Sequence, residues 1–240
     1  KYLKRLTGMR YLCMAGGVAL NSLANYRILR EAGFDEIYIQ PAASDAGGAL
    51  GAALWANHMV LGQPRNFTMT HAYYGESQEA AEISSYLIQN NIAFEEIDDQ
   101  DRLVGRVVDA LLKGKVAGWY QGKTEWGPRA LGNRSIVASP CSADMKDLVN
   151  SKIKFREPFR PFAPSVVEEA ASTIFDIPQV ETHYPARFML YITSVHEDKR
   201  ELIPAVTHVD GTARLHSVDR DANPLFHQLI SAWGEASGVP

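Results

Sequence analysis

The sequence contains little cysteine. Only Cys13 and Cys141 occur among the 240 residues. A chain this poor in cysteine is typical of a reducing compartment, so we expect two free thiols and a cytoplasmic location, with a single disulfide as the less favoured alternative. The metal-ligand spacings His-x-x-x-His and Cys-x-x-Cys are absent as well. No metal site is therefore indicated by a local motif.

Long apolar runs and a leader segment are also missing. No apolar run approaches the roughly 18 residues that a membrane helix needs, and the chain does not open with a basic stretch followed by an apolar one. We therefore expect neither a membrane span nor a signal peptide. With 46% hydrophobic and 22% charged residues, the composition is that of a soluble globular protein.

Acidic charge prevails overall but not locally. The chain has a formal net charge of −4, which argues against general nucleic-acid binding. The stretch 123–160 nevertheless contains eight basic and four acidic residues. An acidic protein with one basic stretch suits a small anionic ligand better than a long polyanion.

Strands and helices alternate along the chain, which indicates an α/β protein whose first strands are parallel. The elements predicted in the N-terminal part are a strand over 11–14, a helix over 18–32, a strand over 36–40 and a helix over 45–61. After a linker over 62–71, helices are predicted over 77–90, 101–113, 143–153 and 224–236. The strands predicted in that second part cover 93–97, 116–121, 135–139, 165–167, 188–195 and 213–217.

The first part is small for a domain. Two strands and two helices cannot bury both faces of a parallel sheet. Residues 1–65 are therefore interpreted as the end of a larger domain, and 71–240 as an α/β domain that follows it. On this interpretation the chain is a piece of a longer protein.

Residues 117–124 match a loose spelling of the phosphate-binding P-loop, because Ala117 is followed by four residues and then by Gly122-Lys123-Thr124. A P-loop needs a glycine-rich turn after a strand and a helix that starts at the lysine. Here 116–121 is itself predicted to be the strand, and Gly127-Pro128 would stop a helix within one turn. The match is therefore interpreted as accidental.

Three polar features of the N-terminal part could bind a ligand. Gly16-Gly17 would let a phosphate approach the backbone at a helix start, although ordinary turn chemistry is the commoner role. Asn21 is predicted one turn into that helix, either reaching a ligand or simply exposed. Asp45 is either an N-cap, which the sequence favours, or a ligand of a metal or of Mg²⁺ bound to phosphate.

The basic stretch offers the sharper signal. Arg129 and Arg134 flank a short loop where guanidinium groups could bind phosphate or carboxylate oxygens. Lys152, Arg156 and Arg160 recur at steps of four. A solvated basic face is the plain alternative, but the interleaved aromatic residues favour a partly buried anion pocket. The aromatic residues are Trp126, Phe155, Phe159 and Phe162.

His208 stands two residues before Asp210 in a turn between strands. The two side chains could form an acid–base pair. A hydrogen bond from His208 that supports the Asp-Gly turn is an equally good interpretation.

Several motifs together resemble one known family, the ATP-dependent O-carbamoyltransferases, which include nodulation-factor and antibiotic carbamoyltransferases. The resemblance covers nearly the whole chain. The motifs that carry it are GGVALN at 16–21, PAASDAGGALGAAL at 41–54, KTEWGPRALGNRSI at 123–136, NSKIKFREPFRPFAPSV at 150–166 and PAVTHVDGTARLHSV at 204–218.

The resemblance implies the C-terminal end of an actin-like ATPase-fold module followed by a smaller α/β module. The smaller module would form a carbamoyl-adenylate from carbamoyl phosphate and ATP, and the larger would transfer the carbamoyl group to an acceptor hydroxyl with an iron-type metal. By position, Gly16, Gly17 and Asn21 fall on the nucleotide-binding turn, and Asp45 falls on a metal-ligating aspartate. The basic motifs supply Lys123, Arg129 and Arg134 as catalytic residues beside His208, with Lys152, Arg156 and Arg160 binding the cofactor.

The chain also departs from the family pattern. The family's metal-binding histidines lie in an upstream His-x-x-x-His motif that is absent here, and a further C-terminal motif is absent too. We therefore expect this chain alone not to complete the transfer. Two other functions stay open: a carbamoyl-adenylate enzyme acting on tRNA, which should show a wider basic surface, and a non-catalytic nucleotide-binding module.

Overall fold

The computed structural model describes all residues from 1 to 240 and shows a mixed α/β chain. The helices are α1 (Tyr2–Thr7), α2 (Ser22–Ala32), α3 (Gly47–Trp55), α4 (Ala80–Gln89), α5 (Gln100–Leu112), α6 (Asp144–Val149), α7 (Ala171–Ile174) and α8 (Pro224–Ser237). The strands are β1 (Tyr11–Cys13), β2 (Glu36–Tyr38), β3 (Ala117–Tyr120), β4 (Arg134–Val137), β5 (Ser165–Val167), β6 (Tyr191–Ser194) and β7 (Thr212–Val218).

The strands form three small sheets. β1 and β2 pair in parallel, as predicted, with Leu12 opposite Ile37. β3 and β4 form an antiparallel pair. In the third sheet β7 lies in the middle, parallel to β5 and antiparallel to β6. This central strand therefore receives neighbours on both edges and is buried at most of its positions.

The strand predicted over 93–97 is wrong, because that segment pairs with no other strand. Its acidic side chain Glu95 instead forms ion pairs with Arg102 and Arg106 of α5. The strand predicted over 188–195 starts only at Tyr191, because 184–188 forms a tight 3₁₀ turn that ends with Met189 in the left-handed region.

Helix boundaries shift in a similar way. The helix predicted to start at 18 starts at Ser22, after a 3₁₀ turn over Gly17–Leu20. α6 is followed by one π turn that ends at Phe155 with φ of 47°. α1 was not predicted.

The hydrophobic core joins the N-terminal and C-terminal parts of the chain. Tyr26 of α2 is buried in a cluster of 15 residues around the β5–β7–β6 sheet. Ile37 and Ile39 pack in another cluster with Phe188 and Leu190. The two segments therefore share buried surface. None of the helices is both long enough and apolar enough to cross a membrane.

Candidate functional site

A cavity of about 470 Å³ lies between β4, α6, β5, β7 and α8, and we name it the arginine cavity. Most residues that line it are apolar, and none is acidic. Five lining residues are basic: Arg129, Lys146, Lys154, Arg156 and Arg214.

Arg214 is the most buried of the arginines. It lies on the central strand β7, opposite Ile192. Burial, and then the charges of Arg129 and Arg156, lower the pKa of Arg214 to about 10. Its Nε atom is buried without a hydrogen-bond partner. A cation held in this way is stabilised by an incoming anion.

Arg156 is held in place by a buried asparagine. Its Nε donates to Asn150 Oδ1 at 2.7 Å, and its guanidinium lies 4.6 Å from the centre of the Phe162 ring. Asn150 also donates to the carbonyl oxygens of Pro158 and Arg160, which fixes the loop that follows α6. Burial, and then the charge of Arg160, lower the pKa of Arg156.

Arg129 reaches the cavity from the loop between β3 and β4. Burial lowers its pKa, and its Nε has no partner. Its Nη2 makes only a long contact of 3.5 Å to the carbonyl oxygen of Leu20, in the N-terminal part. Most of its donors therefore remain free for a ligand.

No carboxylate neutralises this group. None of Arg129, Arg156 and Arg214 forms an ion pair with an aspartate or glutamate. Buried charges are ordinarily paired, and planar guanidinium groups bind phosphate and carboxylate oxygens through two hydrogen bonds. The arginine cavity is therefore suited to a small anion.

His208 lies near this cavity with a defined proton position. The hydroxyl of Thr212 donates to Asp210 Oδ1 at 2.7 Å, so its oxygen must accept from His208 Nδ1 at 2.9 Å. The proton is therefore on Nδ1, and Nε2 keeps a lone pair that is buried without a partner. Burial is the main cause that lowers the pKa of His208, and the charges of Arg214 and Lys146 act in the same direction. Asp210 contacts His208 through Thr212, and the direct pair considered from the sequence does not form.

The other basic residues singled out from the sequence lie outside the cavity. Arg134 stacks 3.6 Å from the centre of the Tyr120 ring and donates to the carbonyl oxygens of Gln121 and Gly122. Lys123 is exposed in an open cleft beside His71. The remaining two are Lys152, which is exposed, and Arg160, which pairs with Glu157 at 2.9 Å.

The glycine pair lies in an open turn of the N-terminal part. Gly16 has φ of 95°, and its N–H donates to the Ala43 carbonyl at 2.7 Å. A Cβ atom at Gly16 or Gly17 would meet nothing within 4 Å. Asn21 is not one turn into the helix, as predicted, but is its N-cap, with Oδ1 accepting from the Ala24 N–H at 3.1 Å.

Asp45 lies exposed in the turn before α3. It is not the N-cap, because α3 has Ala46 at that position without a side-chain hydrogen bond. No three His, Cys, Asp or Glu side chains of this chain come together in a metal-binding group. The donor set of this chain alone therefore does not fit an iron-type metal.

The structure adds three basic residues to those found in the sequence, namely Lys146, Lys154 and Arg214. Arg214 had a signal, since it is the one charged residue within the strand motif Thr212–Val218. A charge inside an otherwise buried strand needs a reason such as a ligand. The two lysines had only their membership of the basic stretch.

Two family models match this chain. Residues 108–240 match the family model described as Carbamoyltransferase C-terminus, and residues 2–54 match the model described as Carbamoyltransferase N-terminus. All residues that line the arginine cavity lie within the first of these matches.

Curated relatives match over nearly all of the chain. Nodulation protein NolNO of Sinorhizobium fredii is 44% identical over 239 residues, which cover 98% of this chain and 34% of that protein. Nodulation protein NolO of Bradyrhizobium diazoefficiens is 42% identical, covering 99% of this chain and 43% of that protein. Nodulation protein U of Sinorhizobium fredii is 33% identical, covering 98% and 39%. This chain therefore spans less than half the length of these relatives, and the two family matches show that it belongs to the carbamoyltransferase family.

Proposed function

We propose that the arginine cavity binds carbamoyl phosphate and that, with ATP, it contributes the step that forms a carbamoyl-adenylate. In that step water attacks the phosphorus of carbamoyl phosphate, so that phosphate and carbamate are released. A carbamate oxygen then attacks the α-phosphorus of ATP, and pyrophosphate leaves as the new bond forms. The observation that carries the proposal is the group of Arg129, Arg156 and Arg214 around one cavity without a carboxylate partner.

Charge supports this assignment. Carbamoyl phosphate and ATP are both anions, and bringing them together is opposed by their mutual repulsion. Arginines already fixed in position offset that repulsion and stabilise the negative charge that builds on the reacting phosphorus. Asn150 and Phe162 hold Arg156, and the β7 backbone holds Arg214, so little reorganisation is needed on binding.

The shape of the cavity supports a nucleotide as the second ligand. Its volume of about 470 Å³ is larger than carbamoyl phosphate needs. The walls away from the arginines include Phe226, Ile230 and Trp233, which are apolar. Such a surface suits the adenine ring of ATP beside a cationic end that takes the phosphates.

His208 does not line the cavity, but it offers a proton acceptor near Arg214 and Lys146, which do. The unprotonated Nε2 is fixed by the chain Asp210–Thr212–His208 and stays neutral near pH 7 because burial lowers its pKa. We assign it the role of accepting a proton or a hydrogen bond from the carbamoyl nitrogen or from water. Lys123, Arg134 and Lys152 would then act outside the cavity, as contacts to ligand approaching it or as support for its loops, whereas Arg160 is engaged by Glu157 and takes no part in binding.

The remaining steps belong to the whole protein. In it, residues 1–65 would end an actin-like ATPase-fold module, with Gly16, Gly17 and Asn21 at a nucleotide-binding turn and Asp45 near a metal. The product would be a carbamoylated hydroxyl on a small molecule in a biosynthetic pathway. This chain spans less than half the length of its relatives, so transfer to the acceptor is proposed for the whole protein.

Titration calorimetry with carbamoyl phosphate tests the proposal. We expect Arg129→Ala and Arg214→Ala each to weaken binding by about 10- to 100-fold, because each removes charge-assisted hydrogen bonds. Arg160→Ala is the matched control, since Arg160 is basic and close in sequence but pairs with Glu157 outside the cavity. Equal affinities in all four proteins would contradict the proposal.

A further inference from the structure

The turn formed by Trp126, Gly127 and Pro128 is pressed against the N-terminal part of the chain. Gly127 has φ of 119°, a conformation that residues with a side chain rarely adopt. A Cβ atom at this position would lie 2.7 Å from the carbonyl oxygen of Pro41 and 3.3 Å from the backbone nitrogen of Ala42. Glycine is therefore required by both conformation and space.

Both sides of this turn are anchored. At its start, the backbone N–H of Trp126 donates to the Ala72 carbonyl at 2.5 Å. After it, one oxygen of Glu125 accepts the backbone N–H groups of Leu131 and Asn133 at 2.8 and 2.9 Å. The short segment between these anchors carries Arg129.

We infer that Gly127 is a positioning residue for Arg129. Contact of the Gly127 turn with the Pro41–Ala42 backbone places the Arg129 guanidinium in the arginine cavity. The inference rests on the proposed function, because it concerns the anion affinity of that cavity. A side chain at position 127 must push the turn away from Pro41, and the movement carries Arg129 with it.

The same contact links the two regions that match separate family models. Arg129 contacts the carbonyl oxygen of Leu20 at 3.5 Å, and Gly127 approaches Pro41. Leu20 and Pro41 lie in the N-terminal match, whereas Gly127 and Arg129 lie in the C-terminal one. Residues of the N-terminal match therefore help to set the affinity of a cavity built by the C-terminal one.

The test is a double-mutant cycle measured by calorimetry with carbamoyl phosphate on the 240-residue chain. Gly127→Ala should weaken binding by about tenfold, because it displaces one charge-assisted contact. Gly122→Ala is the control in the same loop. Gly122 also has positive φ, of 46°, but its added Cβ would meet only Asn133 Nδ2, at 3.6 Å, so its affinity should stay within about twofold of wild type.

The decisive comparison is the double variant Gly127→Ala/Arg129→Ala. If Gly127 acts through Arg129, the double variant binds as weakly as Arg129→Ala alone. If the losses multiply, Gly127 acts independently and the inference is wrong. If Arg129→Ala itself leaves binding unchanged, the proposed function has failed instead.

A second variant, Pro128→Ala, keeps the inference testable if Gly127→Ala does not fold. Pro128→Ala loosens the same turn without adding an atom next to Pro41. It should weaken binding by a smaller factor, and that factor should vanish when Arg129 is already alanine. An unchanged factor in the Arg129→Ala background would overturn the inference.

Discussion

Arg214 carries a charge on a strand whose neighbouring residues are mostly buried. It has no carboxylate partner, and two further arginines lower its pKa. An unpaired buried charge lowers the stability of the ligand-free protein, which is the cost expected of the anion site that we propose.

Arg214→Met should therefore stabilise the ligand-free protein. The thioether chain fills similar space, and the repulsion from Arg129 and Arg156 is removed, so we expect the free energy of unfolding to rise by about 1 kcal/mol. Urea denaturation of wild type and Arg214→Met in phosphate-free buffer measures this difference in the free energy of unfolding. Arg160→Met should change the free energy by less than about 0.5 kcal/mol. A clear loss of stability in Arg214→Met would mean that its charge is satisfied within the protein.

His216 provides a second prediction at this scale, for the pH dependence of stability. It is fully buried beside Ser165, and burial lowers its pKa to about 3. Below the ordinary histidine pKa of about 6.5, His216 binds a proton in the unfolded chain but stays neutral in the folded one. The contribution of His216 to the free energy of unfolding is therefore present above that pH and is lost as the pH falls. We expect the free energy of unfolding to drop by about 2 kcal/mol from pH 7 to pH 5 because of His216 alone.

Denaturation of wild type and His216→Gln at the two pH values measures this contribution. The variant should show a drop that is smaller by about 2 kcal/mol. Burial also lowers the pKa values of His183 and His208, so part of the pH dependence should persist. Identical pH dependences in the two proteins would show that His216 does not stay neutral in the folded state.

At the scale of elements, α2 depends on the N-cap residue that precedes it. Asn21 accepts a hydrogen bond from the Ala24 N–H and so satisfies one free donor at the start of the helix. Asn21→Ala should lower the free energy of unfolding by about 1 kcal/mol, whereas Asn21→Asp should keep it. Thermal unfolding of the three proteins measures the effect. If the stability of Asn21→Ala were unchanged, the hydrogen bond from the Asn21 side chain would not stabilise the helix.

Local patterns predicted many of the elements because their causes are local. α5 has buried residues at Val104, Val108 and Leu111, a helical spacing that is visible in the sequence. The strand over 93–97 was wrong because its apolar residues look like a strand, yet nothing pairs with them: Phe94 is exposed, and Glu95 is held by α5. Strand pairing depends on partners that lie far away along the chain.

The contrast between local patterns and long-range pairing also explains how much of the site could be predicted from the sequence. The motif around Arg129 and Arg156 pointed to the cavity because basic and aromatic residues alternate there. Arg214 could not be joined to them, since 58 positions separate it from Arg156 and only the β5–β7 pairing brings it near. Arg134 was predicted as a catalytic residue from its place beside the loop and from the family resemblance. The Tyr120 ring and nearby carbonyl groups hold its guanidinium, and its role stays a prediction.

At the scale of the whole molecule, the shared core predicts cooperative unfolding. Ile39 is fully buried with Leu131 and Leu190, which come from the other part of the chain. Ile39→Ala should therefore destabilise both parts by about 3 kcal/mol, with fluorescence and far-ultraviolet circular dichroism giving one common transition. Val18→Ala, at a site that is 80% exposed, is the control. Two separate transitions would show that residues 1–65 fold independently of the rest.

In our proposal, one cavity of this carbamoyltransferase-family chain binds the phosphate group of carbamoyl phosphate through arginines that come together only in the fold. A crystal structure of the chain with carbamoyl phosphate tests it most directly. We predict phosphate oxygens within about 3 Å of guanidinium nitrogens of Arg129 and Arg214, with Arg156 alongside. A phosphate group bound instead beside Lys123 or Lys152, with the arginine cavity empty, would contradict the account.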